Sequence, residues 1–294
     1  MANRYDSLKK TSRHRPPAAW RLPVLFFLLI LTSAAGGFVF LNAERFALRV
    51  IEINGNRLLT EEMIVAAARQ ALTGRRWFFF RRDRYWFYSP TQLSAALGAR
   101  LTRLAAVEVK TTGWNTLQFQ ITERHTAALW CPKESVLMEN CFYLDETGLA
   151  FAPAPRFSAP PLVVITGTEP AITASSSPPL IKSQPLPRSS FRRLWDLKLS
   201  LENFFQAAVP FNNFIVQKIT AVADGDYKFY FTNSYQLATG FEIIVANTQT
   251  AAEILDRLES VLAVPKFKTE LTSAAKLEYL DLRFDRKVFY RFRE

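Results

Sequence analysis

The chain has 294 residues, with 37 Lys and Arg against 26 Asp and Glu, and a formal net charge of +11 at pH 7. That length allows about two ordinary domains besides a membrane segment. A basic excess often indicates a nucleic-acid partner, but the pattern described below places most of the chain outside the membrane. We therefore expect no nucleic acid, and anionic lipid head groups or an acidic envelope polymer are the better match.

Residues 22–43 form one uncharged stretch, and a basic tail precedes it. The tail, residues 1–21, has six Lys and Arg against the single acid Asp6. Because a helix rises about 1.5 Å per residue, roughly 20 apolar residues cross the ~30 Å hydrocarbon layer. We predict a transmembrane helix over residues 22–43, with a cytoplasmic N-terminal tail and the rest of the chain outside.

A cleavable signal peptide is the alternative interpretation of this stretch. Ser33, Ala34 and Ala35 would make an acceptable cleavage site. The apolar run nevertheless continues through Phe38 to Leu41, which favours a retained anchor.

Residues 46–124 are predicted to form an α+β domain outside the membrane. Thr60 is a good helix cap, and Ser89 begins a capping box with proline at the first helical position. The last strand alternates strictly between apolar and polar residues, as a half-buried strand does. The pattern predicts a strand, two helices and two strands, in that order, over residues 48–54, 60–74, 89–104, 107–109 and 117–121.

A dense aromatic and basic segment, RRWFFFRRDRYWFY at residues 75–88, separates the two predicted helices. One interpretation is a membrane-surface patch, in which aromatic side chains lie at the interface and arginines meet anionic head groups. The other is a long loop whose aromatic side chains fold under the domain while its arginines stay in water. The candidate patch residues are Arg75, Arg76, Trp77, Phe79, Arg81 and Arg82.

Residues 125–294 are predicted to form a second domain, rich in strands. Residues 168–190 are rich in Ser and Pro and are predicted to be a loop. Two helices are expected over residues 191–207 and 248–263. Strands are expected over residues 126–130, 141–152, 214–223, 227–232, 241–246, 277–284 and 287–292.

The chain contains two cysteines, Cys131 and Cys141. In an oxidising compartment they could bridge a hairpin, and two free thiols are the alternative. Two cysteines without a nearby pair of histidines do not make a zinc site. We therefore expect no metal site, and nothing in the sequence calls for a cofactor.

Three landmarks, in chain order, carry a resemblance to a known family. The first is the β-α-α-β-β pattern directly after the apolar span, opening with VIEINGN at residues 50–56 and closing with LQFQITER at residues 117–124. The second is a D-x-x-G hairpin at Asp145–Gly148, and the third is YLDLRF at residues 279–284. Together they resemble the FtsQ/DivIB family of bacterial cell-division proteins over nearly the whole chain.

The resemblance implies an α+β protein with a single N-terminal transmembrane helix. A POTRA domain would occupy residues 46–124, and a mainly antiparallel, curved β-sheet domain with helices packed on one face would occupy residues 125–294. The implied function is a non-enzymatic divisome scaffold of the inner membrane, concentrated at the septum, that links early and late division proteins. The implied partners are FtsB/DivIC-like and FtsL-like proteins and the membrane lipids, with no small-molecule substrate.

The last predicted strand is the candidate site of partner binding. Its alternation puts Val288, Tyr290 and Phe292 on one side, and a terminal strand tends to lie at a sheet edge. In the family, the strand after the D-L-R signature takes up a segment of FtsB/DivIC by strand addition. An ordinary closing hairpin, protected by its own charges, is the alternative. The resemblance implies the partner-binding residues Arg283, Phe284, Arg286, Val288, Phe289 and Tyr290.

The sequence offers no recognisable catalytic constellation. His14 lies in the basic tail and His125 at a predicted strand end, and no nucleophile-elbow, zincin or phosphate-loop motif is present. Asp145 and Glu146 are adjacent on a turn and make a poor acid–base pair. We expect a protein that is not an enzyme. The other candidates are a POTRA-bearing translocation or secretion component, and an envelope hydrolase whose carboxylates are distant in sequence.

Overall fold

The computed structural model describes residues 21–76, 80–132, 140–157, 161–167, 181–208, 213–222, 225–233, 236–272 and 276–293. The chain divides into two compact units. The first takes the chain up to Leu97 together with Ala106–Ile121, and the second takes Gly98–Ala105 and Thr122–Glu294. Arg124, the predicted last residue of the first domain, lies in the second unit because its side chain bonds Asp145 and its N–H donates to the Arg103 carbonyl.

Helix α1, Arg21–Leu41, is long and apolar enough to cross a membrane. The segment Leu22–Leu41 has a mean hydropathy of 2.5, and none of its most apolar window is buried within the protein. The helix ends two residues before the uncharged stretch does, where the side-chain amide of Asn42 donates to the Phe38 carbonyl at 3.0 Å. Of the predicted tail, residues 1–21, residues 1–20 lie outside the described residues, and Arg21 is the first residue of α1.

The rest of the first unit combines a three-stranded sheet with two helices. Strand β1 is parallel to β5, and the order across the sheet is β1-β5-β4. A small hairpin, β2–β3, interrupts the predicted loop between the helices. The elements after α1 are β1 (Val50–Asn54), α2 (Glu61–Leu72), β2 (Arg75–Arg76), β3 (Phe80–Arg81), α3 (Pro90–Arg100), β4 (Leu104–Thr111) and β5 (Thr116–Glu123).

Local sequence explains these elements. The Thr60 hydroxyl accepts a hydrogen bond from the Met63 N–H and caps α2, as expected. Gly55 follows β1 with φ +89°, and a Cβ there would lie 2.3 Å from the Ile121 carbonyl oxygen, so only glycine fits this turn. The alternation of β5 buries Leu117, Phe119 and Ile121.

The second unit is a nine-stranded mixed sheet with three helices. The order across the sheet is β14-β13-β12-β11-β10-β9-β6-β7-β8. Its strands are β6 (Ala128–Cys131), β7 (Phe142–Leu144), β8 (Ala150–Pro153), β9 (Val164–Gly167), β10 (Phe214–Ala221), β11 (Tyr227–Asn233), β12 (Gln236–Val245), β13 (Lys276–Asp281) and β14 (Phe289–Arg293). Its helices are α4 (Arg188–Ala208), α5 (Ala251–Leu262) and α6 (Pro265–Thr272).

The mixture of strand directions follows from the helical connections. Strands β9 and β10 are joined through α4 and pair in parallel, and β12 and β13 are joined through α5 and α6 and also pair in parallel. The β6–β9 pair is parallel too, and the remaining neighbours are antiparallel, so antiparallel pairs predominate as predicted. Of the predicted loop 168–190, residues 168–180 lie outside the described residues, and α4 begins at Arg188.

One large core joins the helices to one face of this sheet. It contains Leu194, Leu201 and Phe205 of α4 together with Leu258 of α5 and Phe267 of α6. The rings of Phe205, Phe231 and Phe241 lie 5.1–5.5 Å apart by their centroids. Aromatic packing of this kind stabilises a core beyond area burial alone. The strand β9 and helix α6 belong to this unit although the sequence pattern did not indicate them.

Candidate functional site at the edge strand β14

Strand β14 lies at one edge of the nine-stranded sheet, as the sequence predicted. It pairs antiparallel with β13, so that Asp281 faces Phe289 and Leu280 faces Tyr290. Leu280 is buried, and Val288 and Phe292 pack against the same core. The side chains of Phe289 and Arg291 therefore lie on the opposite face of the sheet, because successive strand residues alternate.

The turn that leads to β14 is held by a cluster of ion pairs. Arg283 donates from Nε and Nη2 to the two carboxylate oxygens of Asp281 at 2.9 and 2.7 Å, and from Nη1 to Asp226 at 3.1 Å. Burial raises the pKa of Asp281, but the hydrogen bonds from the Arg283 side chain and backbone outweigh it and hold the pKa below its ordinary value of 3.8. The guanidinium of Arg283 is thus occupied by two carboxylates, one in the hairpin and one beside β11.

A second arginine ties the same turn to helix α5. Arg257 donates to the Leu282 carbonyl at 2.6 Å and to the Asp285 carboxylate at 2.7 Å. The side-chain amide of Gln249 also donates to the Leu282 carbonyl, at 2.8 Å. The Asp281-Leu282-Arg283 sequence therefore has a structural role: its hydrogen bonds fix the turn after which β14 begins.

Exposed aromatic side chains flank the edge. Phe284 and Phe289 are 46% and 48% exposed, and their rings meet edge to face with centroids 5.3 Å apart. Tyr290 is 40% exposed, and its ring lies 4.9 Å from Phe267 of α6. Apolar surface beside an unpaired strand edge is the combination that a partner strand can cover.

The open face of the sheet beside β14 is polar. Arg291 forms an ion pair with Glu278, and its guanidinium lies 5.5 Å from the centre of the Tyr279 ring. A shallow groove of about 400 Å³ runs here, lined by Lys228, Tyr230, Glu242, Glu278, Asp281 and Arg293. Gly240 leaves room for the Tyr230 side chain, because a Cβ at position 240 would lie 2.3 Å from the Tyr230 phenol oxygen.

The other edge of the sheet is covered by the chain. The N–H of Ala150 in β8 donates to the Ser183 carbonyl at 2.9 Å, and the Ala150 carbonyl accepts from the Lys182 N–H at 2.6 Å. The Lys182 ammonium also donates to the Gly98 carbonyl at 3.0 Å. Within the described ranges, no strand pairs with the outer side of β14. The two edges therefore differ in their capacity to accept a partner.

The six predicted partner-binding residues fall into distinct environments. Phe284, Phe289 and Tyr290 are exposed, as is Arg286, whereas Val288 is half-buried against the core and Arg283 lies in the ion-pair cluster. Phe267, which supports Tyr290, was missed because α6 has only eight residues. The proline at its first position, Pro265, was the signal available for a helix start there.

The predicted membrane-surface patch is only partly described. Trp77 and Phe79 lie outside the described residues, and Arg76 is placed only by its backbone in β2. Arg75 and Arg82 are exposed, while Arg81 donates to both carboxylate oxygens of Asp83, at 3.1 and 2.7 Å. Among the described side chains of this segment, Arg75, Arg81 and Arg82 are all exposed, and Arg81 is paired with Asp83.

Cys131 and Cys141 are joined as a disulfide that connects the end of β6 to the residue before β7. Both sulfurs lie in a small buried cluster with Leu129 and Val164. The following hairpin turns on Asp145, whose carboxylate accepts from the Thr147 and Leu149 N–H groups at 2.8 and 3.1 Å. These bonds hold together β6, β7 and the turn before β8, the strand at the covered edge of the sheet.

The described residues hold no group of three or more His, Cys, Asp and Glu side chains placed to bind a metal ion. No known protein family matches the chain, and no similar protein was found among characterised proteins. The site is therefore interpreted from its own geometry.

Proposed function

We propose that this chain is a membrane-anchored scaffold of the FtsQ/DivIB type, in which β14 receives a strand from a partner protein. The observation that carries the proposal is the difference between the two sheet edges. The β8 edge is hydrogen-bonded by Lys182 and Ser183, whereas the β14 edge is flanked by the exposed rings of Phe284 and Phe289. Strand addition gives affinity through backbone hydrogen bonds and specificity through flanking side chains.

The other parts of the chain support the same proposal. Helix α1 would anchor the protein in the inner membrane. The order β1-α2-α3-β4-β5, with β5 between β1 and β4, supports the assignment of a POTRA domain to this unit. The locked Asp281–Arg283 turn would hold the receiving strand ready for a partner. The partner would be a single-pass division protein of the FtsB/DivIC kind, acting with an FtsL-like protein to regulate septal wall synthesis.

Photo-crosslinking in cells tests this proposal. Benzoylphenylalanine in place of Phe289 should give an adduct with one small membrane protein, because this side chain is 48% exposed beside the open edge. The matched control is the same substitution at Ile215, which is 40% exposed on β10 away from the edge. Equal adducts at both positions, or none at Phe289, would contradict strand addition.

Localisation tests the cellular part of the proposal. A fluorescent fusion of the full chain should concentrate at midcell before constriction begins. A uniform membrane signal through the division cycle would contradict a divisome role. Binding of many unfolded polypeptides at Phe289, without one preferred partner, would favour a translocation component instead.

A further inference from the structure

The chain is tied to the first unit immediately after α1. A 3₁₀ turn, Glu44–Phe46, follows the helix. The Tyr85 N–H donates to the Phe46 carbonyl at 3.0 Å, and the Leu48 N–H donates to the Asp83 carbonyl at 2.8 Å. These backbone bonds fix the residues around Phe46 against those around Arg84. The end of the apolar helix and the segment 83–88 therefore lie side by side.

A cluster of rings forms at this junction. Phe46 lies at its centre, and its ring centroid is 5.1 Å from Phe40, 6.1 Å from Trp86 and 5.8 Å from Trp114. The two tryptophan rings are 5.8 Å apart, and the Arg45 guanidinium lies 5.2 Å from the Phe40 ring centre. We call Phe40, Arg45, Phe46, Trp86 and Trp114 the exit cluster.

The exit cluster is apolar, yet most of it is uncovered. Phe46 is buried, but Phe40, Trp86 and Trp114 are 48%, 44% and 57% exposed. Two neighbouring tryptophans half open to the surroundings form an apolar surface of the kind that marks an interaction site. The cluster is also continuous with α1, because Phe40 belongs to the last turn of that helix.

The charged residues Glu44 and Arg45, next to each other in the chain, have different environments beside the exit cluster. Glu44 pairs with the buried Arg84 at 2.8 Å and also with Arg49. Hydrogen bonding to Arg84 and Arg49 holds the pKa of Glu44 below its ordinary value, so this carboxylate stays ionised and occupied. Arg45, in contrast, lies over the Phe40 and Phe46 rings. An arginine whose stem lies along apolar rings can direct its charged head toward anionic lipid head groups.

We propose that the exit cluster lies in the head-group layer of the membrane that α1 crosses, with Trp86 and Trp114 as interfacial anchors and Arg45 beside anionic head groups. Tryptophan is enriched at this depth because its ring is apolar and its N–H is polar. A helix of 21 residues spans about 30 Å, which puts Phe40 at the edge of the hydrocarbon layer and the exit cluster just outside it. The proposal rests on α1 being a membrane anchor, but not on strand addition at β14.

Depth-dependent fluorescence quenching tests whether the exit cluster lies in the head-group layer. The full chain is reconstituted in lipid nanodiscs whose acyl chains are brominated either near the head group or near the chain end. The double variant Trp86→Phe, Trp114→Phe keeps the cluster apolar but removes both fluorophores. We expect the emission quenched by the shallow bromines to fall by roughly half, because the variant keeps four of the six tryptophans of the chain, Trp20, Trp77, Trp130 and Trp195. The matched control is Trp195→Phe in α4, which should leave the shallow quenching unchanged.

The outcomes separate this inference from the anchor itself. Extraction of the chain from membranes by alkaline carbonate would overturn both the membrane anchor and the head-group position of the exit cluster. If the chain resists carbonate extraction but the shallow quenching is the same with and without Trp86 and Trp114, only the head-group position of the exit cluster is overturned. Tryptophans shielded from aqueous acrylamide but not quenched by bromolipid would also overturn it, since a protein rather than lipid would then cover the cluster.

Discussion

Arg283 donates two parallel hydrogen bonds to Asp281, which lies two residues earlier in the chain, from Nε to Oδ1 at 2.9 Å and from Nη2 to Oδ2 at 2.7 Å. The same guanidinium reaches Asp226 at 3.1 Å, at the end of the loop before β11. This fork joins the β13–β14 hairpin to the middle of the sheet. It holds an edge strand with exposed aromatic side chains in one defined position, although no strand among the described residues pairs with its outer side.

Removing the fork should loosen β14. We expect Arg283→Ala to lower the free energy of unfolding by about 1–3 kcal/mol, because it leaves Asp281 buried without its charged donor. Chemical denaturation of the full chain in detergent micelles measures this change. The control is Arg286→Ala, an exposed neighbour, which should change stability by less than about 0.5 kcal/mol. Equal effects of the two substitutions would contradict the structural role of Arg283.

The same pair makes stability depend on pH. The pKa of Asp281 is lower in the folded protein than its ordinary value of 3.8, and so is that of Asp145. A carboxylate of this kind contributes stability at pH values above its unfolded pKa, and the contribution is lost as the pH falls through the folded pKa. We expect Asp281→Asn to cost stability at neutral pH and to flatten the loss of stability below about pH 4. Melting temperatures measured from pH 7 to pH 2 check this.

The exposed Asp256 gives the matched control for that pH series. Asp256 is exposed on α5, so Asp256→Asn should leave the melting temperatures below about pH 4 as they are in the unmodified protein. A curve for Asp281→Asn that runs parallel to that of the unmodified protein would show that the pKa shift of Asp281 contributes nothing measurable.

Local sequence signals predicted the elements that carry their own periodicity. Helix α2 with its Thr60 cap, the alternating β5 and the edge position of β14 were all expected from neighbouring residues alone. Elements without a strong period were missed. Strand β9 is only Val164–Gly167 and is buried throughout, so it shows no alternation.

The candidate site was predictable in place but not in detail. The exposed Phe284 and Phe289 follow from the position of the last strand, whereas the commitment of Arg283 to Asp226 does not, because those residues are distant in sequence. The exit cluster was equally hidden. Its four rings come from three separate stretches of chain, and the backbone bonds from Tyr85 to Phe46 and from Leu48 to Asp83 bring Trp86 next to Phe46.

The disulfide should contribute to stability mainly by restricting the unfolded chain. Cys131 and Cys141 are separated by ten positions, and closing a loop of that length is worth about 2–3 kcal/mol in the chain-entropy description. We expect Cys131→Ala, Cys141→Ala to lower the free energy of unfolding by that amount. Adding a reductant should destabilise the unmodified protein and leave the double variant unchanged. A double variant that still responds to reductant would refute this explanation.

Phe267 should control the order of β14 from the helix side. It is 2% exposed and contacts the rings of Tyr290 and Phe292, with centroids 4.9 and 5.5 Å away. We expect Phe267→Ala to cost about 3–5 kcal/mol and to increase amide hydrogen exchange in β14 more than in β11. Phe267→Leu, which keeps most of the volume, should recover most of the protection. Uniform loss of protection across the sheet would contradict a local role.

A proline at the edge should separate partner binding from folding. Because β14 pairs antiparallel with β13, its backbone N–H groups point alternately toward β13 and away from it, and no other described strand pairs with β14. Of the two substitutions Phe289→Pro and Tyr290→Pro, one therefore removes an outward N–H that the sheet does not use. We expect that variant to lose partner capture at least about tenfold while its melting temperature stays near that of the unmodified protein. The matched controls are Phe289→Ala and Tyr290→Ala, which keep the N–H and should bind more tightly than the proline variant at the same position. Partner affinity unchanged in both proline variants would refute strand addition at this edge.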